Sequence, residues 1–260
     1  MIITSIVLDG LELVGGNYHF FLSGLPDFEK DIVTNDLFSD GAAWGRSKNK
    51  PKTLVLDGYI LSGGTAAEWA LNKVLAPNGL KALIVNNTYK CKVEVVSRGS
   101  NTNNSHIISC QLTMPDPYWY AQATKSVQLG STSNAALVLP ATLPWTLGSL
   151  TGGEGTITNE GNADAYPVIR VVGTCSNISV TNQTTGETIS VSAALGDDDE
   201  LVIDCRPDTC GVYLNGVANI GLKTSPGWMR CVPGNNIISF NRNSLQNKKH
   251  CTVELNERWI

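Results

Sequence analysis

The sequence predicts a mainly β protein in two parts, and three observations carry that reading. Apolar and polar residues alternate in short runs along the chain, Gly, Asn and Asp pairs punctuate those runs, and one stretch alone repeats at helical spacing. The composition agrees. Of 260 residues 42% are hydrophobic and 16% charged, against about 25% charged in an average globular chain, so a core can be buried and a disordered or coiled-coil chain is excluded. Lys+Arg 19 against Asp+Glu 23, a net charge of -4, lacks the basic footprint of a nucleic-acid binder. Three histidines leave little room for His-based catalysis or a His-rich metal site.

Taken in order, residues 2–8, 11–14 and 18–22 alternate around Asp9-Gly10 and Gly15-Gly16, the pattern of a β-hairpin or meander. Residues 26–51 are polar and irregular. So long a loop in a compact domain is either mobile or packed on a partner, and the partner is the favoured reading. Two short strands are expected at 53–56 and 59–61. The helix follows, with Thr65-Ala66-Ala67-Glu68 as a capping box, a stripe of Ala66, Trp69, Ala70 and Val74, and Pro77 and Gly79 as its end.

Residues 80–85 and 89–97 then read as a hairpin about Asn86-Asn87, with Tyr89, Cys91, Val93 and Val95 on one face, and residues 107–112 add a strand. From about 122 to 155 Ser, Thr, Ala, Gly and Pro dominate. A domain boundary is expected there, dividing the chain into 1–138 and 139–260. Eight short strand candidates at 156–159, 168–173, 178–182, 187–191, 200–204, 212–214, 235–240 and 252–255, with no helical stretch between them, predict an antiparallel β-sandwich.

Candidate chemistry is sparse. Asp197-Asp198-Asp199-Glu200 lacks the ligand spacing and central Gly of an EF-hand loop and reads as a solvated hairpin turn, so no metal site is expected. Seven cysteines without a C-x-x-C pair read as reduced thiols, Cys205 and Cys210 among them. Gly152-Gly153-Glu154-Gly155 lacks the Lys-Ser/Thr and βαβ setting of a phosphate loop and reads as linker. With no nucleophile in a G-x-S-x-G or protease setting, catalytic and cofactor residues are expected to be none. The N-terminus lacks the pattern of a signal peptide and no apolar run reaches the length of a membrane span, so a soluble protein made in a cytoplasm, with no membrane partner, is expected.

Aromatic residues remain in unusual places: Trp44, Tyr118-Trp119-Tyr120, Trp145, Trp228 and Trp259. Core plugs and protein interfaces are both open readings, and a sugar-stacking platform is a third. Trp44, Arg46 and Lys48, in the polar excursion, are the candidate oligomer interface.

The order of segments resembles the distal tail proteins of long-tailed, non-contractile bacteriophages. The likeness runs from Asp9-Gly10 through Lys52-Thr53-Leu54-Val55-Leu56-Asp57-Gly58-Tyr59-Ile60 to Met114-Pro115-Asp116-Pro117-Tyr118-Trp119-Tyr120. Asp116, Pro117, Tyr118 and Trp119 form its most recognisable junction. It continues through Ile157-Thr158-Asn159-Glu160-Gly161, Tyr166-Pro167-Val168, Thr181-Asn182-Gln183, Leu201-Val202-Ile203-Asp204, Val212-Tyr213-Leu214-Asn215-Gly216 and Val232-Pro233-Gly234-Asn235.

The resemblance implies an N-terminal ring-forming domain with one helix and a C-terminal galectin-like antiparallel β-sandwich. It also implies a non-enzymatic hub of the tail tip or baseplate, a homo-hexamer joining the major tail tube protein to a tail-associated or tail-fibre protein and to receptor-binding proteins. Such a protein is assembled in the host cytoplasm and resides at the virion tail tip. Cysteine content and the long Ala/Pro/Trp-bearing linker depart from the family pattern. The alternative is a carbohydrate-binding, lectin-like β-sandwich, for which Trp228 is the main candidate and is expected instead to be buried or in a protein contact.

Overall fold

The computed structural model describes residues 2–25, 29–36, 42–101, 104–130, 152–243 and 251–260. They form two compact units, Met1–Gln122 with Trp259–Ile260, and Ala123–Arg258. The expected boundary at 138/139 lies outside the described residues, and the division falls earlier because Lys125–Leu129 is a strand of the second unit.

In the first unit β1 (Ile6–Leu8) and β2 (Leu11–Glu12) form the predicted hairpin about Asp9-Gly10, whose φ values of 48° and 85° are the left-handed pair that a tight two-residue hairpin requires. β3 (Val14–Gly15) and β4 (Tyr18–Ser23) follow. Residues expected to be an irregular loop instead form β5 (Lys30–Asp36) and β6 (Ala42–Asn49), a two-stranded antiparallel sheet of their own. Backbone pairing needs no apolar alternation, which is why a polar sequence concealed it.

The two expected short strands are one, β7 (Lys52–Ile60). Asp57-Gly58 does not turn. Gly58 is there because a Cβ would stand 2.4 Å from the His19 carbonyl oxygen and 2.5 Å from the Phe20 ring. Helix α1 (Gly64–Val74) has no side-chain cap, so the capping box at Thr65 does not form; Gly63, at φ 94°, starts the helix, and its Cβ position would collide with Asn17 and Ala67. Ala67, Leu71 and Val74 are buried, displacing the expected stripe and turning Trp69 outward.

β8 (Lys81–Val85) and β9 (Tyr89–Asn101) pair about Asn86-Asn87, both left-handed, with Cys91, Val93 and Val95 buried as their alternation requires. With β10 (Asn104–Met114) and β11 (Trp119–Ala121) the sheet runs β2-β1-β8-β9-β10-β7-β4-β3, with β11 added beside β9. Its core joins Phe20, Leu54, Leu56, Ile108 and Leu112 to α1. Trp259 returns to this unit and meets Tyr89 edge to face, ring centroids 5.1 Å apart.

The second unit packs two antiparallel sheets. One is built from β12 (Lys125–Leu129), β14 (Val168–Val172), β17 (Glu200–Asp204), β18 (Gly211–Leu214), β19 (Val217–Ala218) and β21 (Cys251–Leu255), in the order β12-β21-β14-β17-β18-β19. The other holds β13 (Gly152–Asn159), β15 (Cys175–Asn182), β16 (Glu187–Leu195) and β20 (Gly234–Asn243), in the order β13-β20-β15-β16. Ile169, Val171, Leu201 and Ile203 of the first meet Ile178, Val180, Ile189, Ile238 and Phe240 of the second in one core. This is the predicted sandwich, and all eight predicted strands are present.

Two readings change. Gly152-Gly153-Glu154-Gly155 is no linker but the start of β13, paired with residues 238–241 of β20. Its glycines admit a close neighbour, since a Cβ at Gly153 would stand 2.2 Å from the Gly130 nitrogen and one at Gly155 2.6 Å from Leu129. Asp197-Asp198-Asp199 does not close a hairpin either. It carries the chain from β16 in one sheet to β17 in the other, and the Asp199 carboxylate accepts the Gly196 N–H at 2.6 Å and the Asn215 amide at 2.8 Å.

Residues 230–236 are held by buried asparagines. Asn182 donates to the Arg230 carbonyl at 2.8 Å and to Asn236 Oδ1 at 3.0 Å. Asn236 donates to the carbonyls of Val232 and Gly234 and accepts the Val232 N–H. Asn159 donates to the carbonyls of Ala163 and Cys231. Each satisfies backbone that a loop inside a sandwich would leave orphaned.

Candidate assembly surfaces

Trp44, Arg46 and Lys48 lie together on β6, with Gly45 as the extra residue of a bulge between the pairs Thr34/Trp44 and Val33/Arg46. Lys48 is exposed, as are Lys30, Asp31, Ile32 and Ser47. A two-stranded sheet is marginally stable by itself in water, so its base must be fixed. Lys50 N–H donates to the Glu29 carbonyl at 2.8 Å, and the Lys50 ammonium meets Glu29 Oε1 at 2.6 Å, a hydrogen bond that raises the lysine pKa.

Asn49 Nδ2 donates to the Tyr118 hydroxyl at 2.7 Å. This bond ties the end of the strand that carries Trp44, Arg46 and Lys48 to the Asp116–Trp119 junction. In the Asp116–Trp119 junction Pro117 and Trp119 are buried, and the Tyr120 hydroxyl donates to Asp116 Oδ2 at 2.5 Å, so the segment locks β11 against the sheet while Tyr118 holds the end of the hairpin.

Sequence reasoning missed a second surface. On β4 and β7 the buried side chains Tyr18, Phe20, Leu22, Leu54 and Leu56 alternate with His19, Phe21 and Tyr59 on the outer face. There His19 meets Phe21 edge to face at 4.7 Å and lies 5.3 Å from Tyr59, whose cross-strand neighbour is Ile107. Phe21 is 58% exposed, Ile107 44% and Tyr59 40%. Period-two counting over residues 18–22 carried the signal, but an aromatic run reads first as core. Trp69 is 75% exposed and lines a cleft with Ala70, Asn72 and Lys73.

The second unit offers little chemistry. Trp228 packs against the core, and the Lys223 ammonium stands 4.8 Å from its ring centroid, where a sugar would need to stack. Arg230 is held by Asp164 at 2.8 Å and Glu187 at 3.1 Å. All seven cysteines are free thiols; Cys210 is exposed, and the other six are buried. Burial pushes Cys110 up to about 11 and Cys205 and Cys231 up to about 12, so none of these three is a thiolate near neutral pH. Among the described residues no three His, Cys, Asp or Glu side chains gather to hold a metal ion. Trp145 lies outside the described residues.

Asp204 is a well-bonded carboxylate. Burial acts to raise its pKa, but Arg206 through its backbone N–H and guanidinium, together with the Thr209 hydroxyl, outweighs burial and holds it below the usual carboxylate range. A depressed folded-state pKa contributes stability above the unfolded-state value that is lost as pH falls through the folded one. Asp204→Asn is therefore expected to cost about 1–2 kcal/mol at pH 7, with the two proteins converging in urea unfolding below about pH 4.

Residues 160–259 match the siphovirus-type tail component, C-terminal domain. That match covers most of the second unit. The Dit-like fold extends over the whole chain: the crystal structure of SPP1 Dit (gp 19.1), described as a paradigm of the hub adsorption apparatus in phages infecting Gram-positive bacteria, aligns with a TM-score of 0.70 at 12% identity, covering 98% of this chain and 99% of that one. A chain of the phage P2 baseplate in its activated conformation with Ca aligns with a TM-score of 0.52 at 9% identity, covering 99% and 98%. No curated protein matches the sequence.

Proposed function

We propose that this Dit-like chain is the structural hub of a phage tail tip, closing into a hexameric ring through its first unit and joining the tail tube to the host-recognition apparatus. The observation that carries it is end-to-end agreement with the SPP1 Dit fold, both units included. The ring stacks on the major tail tube protein and receives a tail-associated or tail-fibre protein, with receptor-binding proteins as further partners. Its subunits assemble in the host cytoplasm and end at the tail tip.

Trp44, Arg46 and Lys48 reach a neighbouring subunit from β6, whose bonded base at Asn49 and Lys50 gives the arm a fixed root. The geometry around Trp228 weighs against the lectin reading, because its ring is packed and capped by Lys223. Electron microscopy and light scattering of the purified chain, with and without tail tube protein, are expected to show closed six-fold rings. Monomers alone under both conditions would end this reading. Replacing residues 29–50 by a short Gly-Ser link is expected to abolish rings while leaving the melting transition of the second unit in place.

A further inference from the structure

Two of the exposed apolar features of the first unit contain aromatic rings, and they point in opposite directions. The Tyr18 hydroxyl donates to the Ala67 carbonyl at 2.8 Å, which ties α1 to the inward face of β4. His19, Phe21, Tyr59 and Ile107 alternate with inward residues and therefore occupy the far face of that sheet. On α1 the buried positions are Ala67, Leu71 and Val74, and at 100° per residue Trp69 and Lys73 lie on the side away from them.

We propose, resting on the ring reading above, that copies of this chain associate head to tail, the Trp69 face of one helix seated on the Phe21–Tyr59–Ile107 face of the next copy's sheet. The occupant is a second copy for three reasons. A two-fold dimer pairs one patch with itself and leaves the other in water, whereas a heterologous contact buries both and repeats, and it closes into a ring when the rotation between copies divides a full turn. The flanking charges are opposite: Lys73 lines the Trp69 cleft, and Asp57 is the cross-strand neighbour of Phe21. The area is of the right order, because aromatic side chains bury about 150–250 Å² each and form the dry centre of an interface of about 800 Å² per partner.

The test uses the full chain. Trp69→Asp removes the helix patch and Phe21→Asp the sheet patch; both sites are exposed, and circular dichroism checks that each variant folds. In sedimentation velocity over a concentration series, each variant alone is expected to associate about 30-fold or more weakly than the parent, the loss typical of a central aromatic anchor. An equimolar mixture retains one intact contact and is expected to stop at dimers.

Variants that still form rings under the electron microscope would overturn this surface while leaving the ring reading intact. A mixture that stays monomeric while the parent associates would overturn the heterologous geometry. A parent that is monomeric with and without tail tube protein would overturn both.

Discussion

Asn236→Leu is expected to lower the melting temperature of the second unit by roughly 10 °C, the equivalent of about 3 kcal/mol for a unit of this size. The leucine has nearly the right volume, so the loss comes from polarity. Asn236 is fully buried and makes bonds to both the N–H and the carbonyl of Val232, to the Gly234 carbonyl and to Asn182. Removing it leaves these groups without partners in a dry interior, each costing about 1–3 kcal/mol before relaxation. Asn236→Asp tests the mechanism, since it keeps the acceptor for Val232 N–H but loses the donors, and is expected to fall between parent and leucine near neutral pH. If the leucine variant melted with the parent, the network would be ornamental and the 230–236 segment held by packing alone.

Gly58→Ala is expected to destabilise the first unit by about 3 kcal/mol, the upper end of what one added methyl group costs in a packed core. The obstacle is backbone as well as ring: the new Cβ would stand 2.4 Å from the His19 carbonyl oxygen, so β4 and β7 must separate where Phe20↔Gly58 is the paired position. Chemical denaturation followed by near-ultraviolet circular dichroism would read this, and Gly10→Ala is an informative contrast. At Gly10 nothing lies within 4 Å, and the cost is that of a left-handed backbone, about 1 kcal/mol.

The legible parts of this fold were those where side-chain period and turn chemistry agree. Val93 and Val95 alternate with charged neighbours up to an Asn86-Asn87 turn whose two residues are both left-handed, and each signal alone would have sufficed. The sandwich strands were legible for the same reason. β5 and β6 were not, because their pairing is carried by backbone groups under polar side chains and interrupted by a bulge at Gly45. The start of β13 is hidden by glycines, which signal a linker when read singly and a close neighbour when read with Leu129 and Gly130.

The assembly surfaces divide along the same line. Tyr118 was noticed as part of a motif, but its bond to Asn49 required two segments to meet in space. Trp69 falls in the sequence's helical stripe, but a pattern built from Ala66, Ala70 and Val74 can be rotated by one position without any penalty visible in the sequence. Ala67 and Leu71 decided the rotation, and only the packing of Tyr18 onto the helix shows it.

The return of Trp259 to the first unit bears on the order in which a growing chain can finish folding. The ring that meets Tyr89 is synthesised after the whole of the second unit, although its partner belongs to a sheet whose other strands were made long before. The second unit is thus an insertion whose two ends leave from hydrogen-bonded neighbours, with Lys125 paired to Leu255. It can therefore close by itself on the ribosome. The first unit waits for it, and the Trp259–Tyr89 clasp closes only after the second unit has been made.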